Sequence, residues 1–300
     1  MKICCILNDK SGSALGVEHN TIVDLFSKHG VSVEILKTQD GASIGDLANQ
    51  AAQQNYDIIV AGGGDGTINA VASALIDHPS IRLGVLPLGT LNHFARDLGI
   101  PFEVTQAIDI ICAGHSKAVD VGIVNNSYFL NNSSVGLYPA IVKLRKSLQS
   151  AGYSKWWAAL LSSLRILSKF RRFELEVQPS TGAFIKRKAA LLFVGNNAYE
   201  TAVTKLGTRL AIDRGQLWIN MPASQTRMGF LIGLLGLIFK HEKPADALIF
   251  EALSLKVNSK KKLMTVATDG EVLYLKPPLN YRILPRALNV MVPVPQSKAQ

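Results

Sequence analysis

The sequence predicts an N-terminal α/β domain on a parallel sheet, followed by a C-terminal domain built mainly of antiparallel strands. Three observations carry this expectation. Between residues 2 and 100 short apolar runs alternate with helical patterns. From about Lys117 onward strand-like runs follow one another, with helical patterns between few of them. At 300 residues, 48% hydrophobic and 18% charged, the chain is long and apolar enough for two cores.

In order, "KICCIL", "VSVEIL", "DIIVAG" and "IRLGVLP" read as strands, the middle two enriched in β-branched residues. Between them "ALGVEHNTIVDLFSKHG" ends on a glycine stop signal, and "ASIGDLANQAAQQ" carries apolar residues at helical spacing. Such alternation predicts right-handed crossovers with helices on both faces, hence three layers, and ligands beyond the carboxyl ends of the strands. The segment "KAVDVGIVNNSYFLNNSSVG" predicts a hairpin around Asn125 and Asn126. "RFELEVQP", "KAALLFVGN", "GQLWINMP", "SLKVNS" and "LMTVATDGEVLYLKPP" continue as strands. Helical segments interrupt them at roughly 154–170 and 224–239. The domains divide at residues 1–122 and 123–300, with roughly the last 15 residues free to return to the first.

Three cysteines, two of them adjacent (Cys4 and Cys5), form neither a disulfide framework nor a zinc spacing. The N-terminal apolar run is too short for a secretory signal, so a cytoplasmic protein is expected. The net charge of +10 is concentrated: Ile141 to Ala190 hold eleven Lys and Arg against Glu174 and Glu176. An anionic partner is expected there. "YSKWWAALLSSLRILSKFRRF" joins Trp156 and Trp157 to an apolar stripe with a basic end. "GFLIGLLGLIF" (229–239) is too short to span a bilayer. Both suit contact with an anionic membrane surface, and equally a cover for the core. No nucleic-acid module is evident.

The stretch "IIVAGGGDGTINAVASAL" places glycines between a strand and a helix. Glycine lets the backbone approach a phosphate, and the helix start offers unpaired N–H groups. Asp65 would repel a bare phosphate; it either holds Mg²⁺ beside the phosphates or caps the helix. Thr67 adds a hydroxyl. A second glycine turn, "LPLGTLNHFARDLGIP", repeats strand, turn and helix, with Thr90 and Asn92 in reach of a phosphate or ribose. One such loop is weak evidence, whereas two on successive strands are stronger.

"GGDGT", "LPLGTLNHFARDLGIP" and "TDGE" (Thr268–Glu271), in this order along the chain, resemble the diacylglycerol kinase and sphingosine kinase family, especially its bacterial lipid kinases. The resemblance implies an ATP- and Mg²⁺-dependent kinase that phosphorylates a lipid hydroxyl. It also implies a C-terminal β-sandwich and a nucleotide cleft between the domains. "NDKSG" matches the family's opening motif at Asn8, Ser11 and Gly12, with Asp9 in place of proline. The nucleotide set carried over comprises Asn8, Thr38, Gly62, Gly63, Gly64, Asp65, Gly66, Thr67, Asn69, Gly89, Thr90, Asn92 and Asp269. Departures are Ala70 and His93, where relatives carry acids, and Arg214 between Asp213 and Gly215 in the loop matching a structural magnesium site. Asp213 is the candidate metal ligand. An NAD-kinase-like enzyme and a catalytically silent binding protein are the alternatives, and homodimerisation is left open.

Phosphoryl transfer to an alcohol needs a group that takes the hydroxyl proton. "ATDGEVLYL" reads as strand, tight turn and strand, with Gly270 between two acids that the turn is expected to expose. Glu271 is the candidate base, as in the matching position of relatives, with Asp65 its catalytic partner on the nucleotide side.

Overall fold

The computed structural model describes residues 1–8, 19–37, 43–136, 139, 172–200, 208–222 and 247–295. The chain divides into two compact units, Met1–Val121 with Pro285–Gln300, and Gly122–Leu284.

In the first unit β1 (Ile3–Leu7), β2 (Val33–Lys37), β3 (Ile58–Gly63) and β4 (Arg82–Pro87) form a parallel sheet in the order β2-β1-β3-β4. β1 and β3 are buried along their whole length, as expected of strands covered on both faces. The helices are α1 (His19–Lys28), α2 (Ile44–Ala52), α3 (Asp65–Leu75), α4 (His93–Asp97) and α5 (Val104–Ala113). α2 packs with α3 and α1 with α5, one pair to each face. Ser43 and Asp46 close a capping box at the start of α2. α1 turns Ile22 and Phe26 inward, both fully buried. The chain reverses direction of winding at β1, so the ends of β1 and β3 form the point where a crevice opens beyond the sheet.

The remaining strands are β5 (Ser116–Val124), β6 (Ser127–Phe129), β7 (Asn132–Gly136), β8 (Phe173–Pro179), β9 (Ile185–Ala189), β10 (Leu191–Asn196), β11 (Leu217–Met221), β12 (Leu248–Ala252), β13 (Ser254–Asn258), β14 (Met264–Thr268), β15 (Glu271–Leu275) and β16 (Leu279–Met291). β5 and β16 contribute residues to both units. The late end of β16 completes the first unit: Val290 pairs in parallel with Leu83, and Val292 donates to the carbonyl of His115 at 3.0 Å.

The second unit is a sandwich of antiparallel sheets, in agreement with the expected fold class. One sheet runs β12-β11-β10-β7-β14-β15; the facing one contains β13 between β8 and the early part of β16, with β9 beyond β8. Their inner faces share one core that includes Leu175, Val177, Leu192, Val194, Ile219, Val257, Val266 and Tyr281. β8 shows the alternation this demands, with Phe173, Leu175 and Val177 inward and Glu174 and Glu176 outward. Tyr281 packs edge-on against Phe129 and pairs its hydroxyl with Ser133 Oγ at 3.2 Å, so a buried phenol retains a polar partner. The hairpin at Asn125 and Asn126 forms as expected, with Asn125 at φ 51. The helical segments at 154–170 and 224–239 lie outside the described residues.

Candidate functional site

The first glycine turn is built by exclusion of side chains. A β carbon on Gly63 would overlap Thr67, whose side chain turns back under the strand end; Thr67 is only 4% exposed. Asn8, at the end of β1, donates from Nδ2 to Thr67 Oγ1 at 3.0 Å, while its backbone N–H bonds the Gly62 carbonyl at 3.0 Å. Two residues expected to contact nucleotide are thus joined to each other at the mouth of the crevice. Gly62 and Gly63 are buried, and Gly64, Asp65, Gly66 and Asn69 are half-buried. Gly64 caps α3 without any side chain, so no side chain of the cap occupies the first N–H groups of that helix.

The second turn lies directly against the first. A β carbon on Gly89 would overlap Gly64 Cα and come within 2.6 Å of Asn92 Oδ1. Asp65 ties the two together: its Oδ1 accepts the backbone N–H of Phe94 at 3.1 Å. Phe94 is the second residue of α4, where an N-cap side chain normally supplies the acceptor. The cap residue, Asn92, cannot do so. It is left-handed at φ 48, and its amide is committed to its own loop. Oδ1 accepts from Gly89 N–H at 3.0 Å, and Nδ2 donates to the carbonyls of Pro87 at 2.9 Å and Gly89 at 3.0 Å. Asn92 is 3% exposed and its amide shapes the loop. Thr90 is exposed on the same loop. Asp65 is therefore the N-terminal cap of a helix, but of α4 and not of its own α3.

In the second unit the acidic hairpin has the expected two-residue turn. Asp269 at φ 47 and Gly270 at φ 83 both take the left-handed conformation between β14 and β15. The expectation that both acids are exposed is corrected. Glu271 is exposed, opposite Thr268. Asp269 points inward: Oδ2 accepts Leu130 N–H at 2.7 Å, and Oδ1 accepts the N–H groups of Asn131 and Asn132, each at 2.9 Å. Taken over the whole residue Asp269 is half-buried, and its carboxylate is the enclosed part. Loss of water pushes its pKa up to about 6, against the opposing pull of the three N–H groups and Arg209.

Around this carboxylate stand residues that the sequence reading did not select. Arg209 Nη1 donates to the Leu130 carbonyl at 2.6 Å, and Asn196 Nδ2 to the same oxygen at 2.9 Å. Tyr199 Oη–H and Asn196 N–H both donate to the Asn131 carbonyl at 2.9 Å. The run "GNN" at the end of β10 and "NN" before β7 were the available sequence signals. Asp213 lies in a half-buried loop closed by Asn197, whose Oδ1 accepts Arg214 N–H at 3.1 Å. Among the described residues no three His, Cys, Asp or Glu side chains gather as a metal site. Ser11, Gly12 and Thr38 lie outside the described residues.

Two outcomes follow from this geometry. Gly89→Ala should destabilise the chain by about 1–3 kcal/mol through forced separation of the turns, read as a lowered urea midpoint. Asp269 binds a proton in the folded state at pH values where an unfolded aspartate has released it, from the ordinary aspartate range up to about 6. The stability it contributes is full below that window and falls as pH rises through about 6. Comparing wild type with Asp269→Asn across pH 4 to 7, the advantage of the wild type should shrink with rising pH; an unchanged difference would show no such proton uptake.

The chain is similar to known proteins. Residues 2–124 match the diacylglycerol kinase catalytic domain. Diacylglycerol kinases of Staphylococcus aureus strains bovine RF122 / ET3-1 and JH9 are each 30% identical over 261 residues, covering 83% of this chain and 80% of theirs. A crystal structure of a diacylglycerol kinase from Bacillus anthracis strain Sterne has a TM-score of 0.70 at 23% identity, over 97% of both chains. A second structure from that organism reaches 0.74 at 24% identity and the same coverage. These two likenesses concern the fold. The identity and coverage of the staphylococcal relatives place this chain in the diacylglycerol kinase family.

Proposed function

We propose that the chain transfers the γ-phosphoryl group of ATP to a hydroxyl of a lipid alcohol such as diacylglycerol. The observation that carries this reading is the contact of two glycine turns, Gly64 on Gly89, held by the Asp65 carboxylate. The residues present suit a magnesium-bound triphosphate. The turns leave backbone where a β carbon would intrude, and the N-terminus of α3 presents N–H groups to an anion. Oδ2 of Asp65 has no hydrogen-bond partner among the described residues, so that oxygen would serve Mg²⁺ directly or through water. MgATP, when bound, supplies the phosphoryl group and the cation that offsets its charge.

The work assigned to the chain's own groups is positioning and proton acceptance. Gly62, Gly63, Gly64, Gly66, Thr67 and Asn69 would hold phosphate oxygens, with Asp65 on the cation, and Gly89 and Thr90 the nucleotide side, with Asn8 and Asn92 acting through the loops that they brace. Glu271, exposed at the start of β15, would take the proton of the lipid hydroxyl as its oxygen attacks. Thr38 and a cation at Asp213 remain part of the proposal from resemblance alone.

Membrane contact is proposed from charge. The basic residues between Ile141 and Ala190 fall largely outside the described residues. Within the described part, Lys186 is already engaged by Glu174 at 3.0 Å and Glu176 at 3.2 Å on the outer face of β8 and β9. No helix among the described residues is long and apolar enough to cross a membrane.

Asp65→Asn keeps an acceptor for Phe94 N–H while removing the charge, so the fold should survive. Turnover with diacylglycerol should drop by about 10²-fold or more. Glu271→Gln should leave the KM for ATP near the wild-type value and lower kcat by about 10²–10⁴-fold. Wild-type turnover in either variant would remove that residue from the mechanism. Co-sedimentation with anionic vesicles should weaken as salt rises, and Lys169→Gln with Arg171→Gln and Arg172→Gln should reproduce the salt-sensitive part. Chain that stays in the supernatant at low salt would end the membrane proposal.

A further inference from the structure

The carboxylate of Asp269 is held by an array more extensive than a turn requires. Three consecutive backbone N–H groups, those of Leu130, Asn131 and Asn132, all point at it. The return bond runs from Asp269 N–H to the Asn132 carbonyl at 2.9 Å. The carbonyls of the same segment are held from the other side, that of Leu130 by Arg209 and Asn196, that of Asn131 by Tyr199 and Asn196. Tyr199 is itself fixed edge-on against Phe193 at 5.4 Å. Residues 130–132 thus form a short strip of backbone fastened along both edges, and Asp269 is the side chain that fastens the β14–β15 hairpin to it.

Glu271 stands two residues beyond Asp269. It begins β15, at the edge of its sheet, and no hydrogen bond among the described residues fixes its exposed side chain. Its position is therefore inherited from the hairpin backbone. We propose that Asp269 is a positioning residue for Glu271, clamping the hairpin to residues 130–132, and does not bind nucleotide. This rests on Glu271 as the proton acceptor. Chemistry supports it. A carboxylate whose oxygens accept three backbone N–H bonds at 2.7 to 2.9 Å has little capacity left for a cation or a ribose. Its raised pKa shows that enclosure costs more than those bonds return, a balance suited to fixing geometry more than to adding stability.

The test uses the full chain with diacylglycerol in mixed micelles and MgATP. In Asp269→Asn an NH₂ must replace one acceptor oxygen, so at least one N–H of 130–132 loses its partner. Amide hydrogen exchange in this segment should accelerate by about tenfold or more. kcat should fall by about 10- to 100-fold with the KM for ATP within about twofold of wild type. In a Glu271→Gln background the same substitution should cost less than about threefold in kcat, because it acts through the missing carboxylate. Tyr199→Phe, which keeps the ring and drops one bond to the strip, should shift exchange and kcat the same way by a smaller factor; it serves if Asp269→Asn does not fold. Unchanged exchange at 130–132, a raised KM for ATP with kcat intact, or an undiminished loss in the Glu271→Gln background would each overturn the clamp. A wild-type chain inactive on diacylglycerol would instead sink the function proposed above, while exchange would still decide whether the clamp exists.

Discussion

Gly64 and Gly89 approach so closely that a β carbon on Gly89 would overlap Gly64 Cα and one on Gly64 would crowd Gly89 Cα at 3.3 Å, and the crevice end of the first unit is organised to keep them there. Two successive parallel strands bring the turns to the same edge, and β3 and β4 hold register from Ile58 with Arg82 to Gly63 with Pro87. Asp65 then crosses from one turn to the N-terminus of α4. Asn92 folds its amide into the second turn, and Asn8 braces Thr67 beneath the first. Each of these polar groups satisfies a backbone or side-chain partner that would otherwise be buried unpaired, at a cost of about 1–3 kcal/mol each. The bracing leaves glycine backbone at both turns, and backbone N–H groups are the form in which a chain meets phosphate oxygens closely.

The second unit solves a different problem. Its core is a conventional sandwich of alternating apolar residues, sufficient to hold the sheets together. Set into one end is a polar frame of Asp269, Arg209, Asn196 and Tyr199, arranged around residues 130–132. Such a frame contributes little net stability, since burying its charge offsets much of what its bonds return. What it does supply is attachment: three backbone N–H groups fasten the hairpin bearing Glu271 to residues 130–132.

Much of this was legible in the sequence. The four parallel strands, the two glycine turns and the hairpin at Asn125 follow from patterns carried within a few residues each. "LNHFARDLG" predicts a longer helix than the His93–Asp97 found, because Asn92 adopts a left-handed conformation and Gly99 reaches φ 70. Both stops arise from loop geometry that composition does not display. The "DG" pair marks the turn, but not the direction of its aspartate. The groups that draw Asp269 inward are backbone N–H groups more than a hundred residues earlier, and backbone donors leave no mark in the residue alphabet. The sequence offers Asp65 as either cation holder or cap of its own helix, and its bond to Phe94 joins residues 29 positions apart, which only the contact of the two turns brings together.

The late return of the chain to the first unit has a consequence for synthesis. Arg286 N–H bonds Asp120 Oδ1 at 2.8 Å, Asn289 Nδ2 reaches the Pro79 carbonyl at 3.0 Å, and Val290 supplies the neighbour of β4. A ribosome delivers these residues only after the whole of Gly122–Leu284 has emerged. Until then β4 is an open parallel edge beside the glycine turns, ready to pair with any strand at hand. The nascent first unit therefore waits, incomplete, through the translation of the entire second one. Its window of vulnerability to aggregation is set by the length of that intervening segment and not by the folding rate of its own sheet.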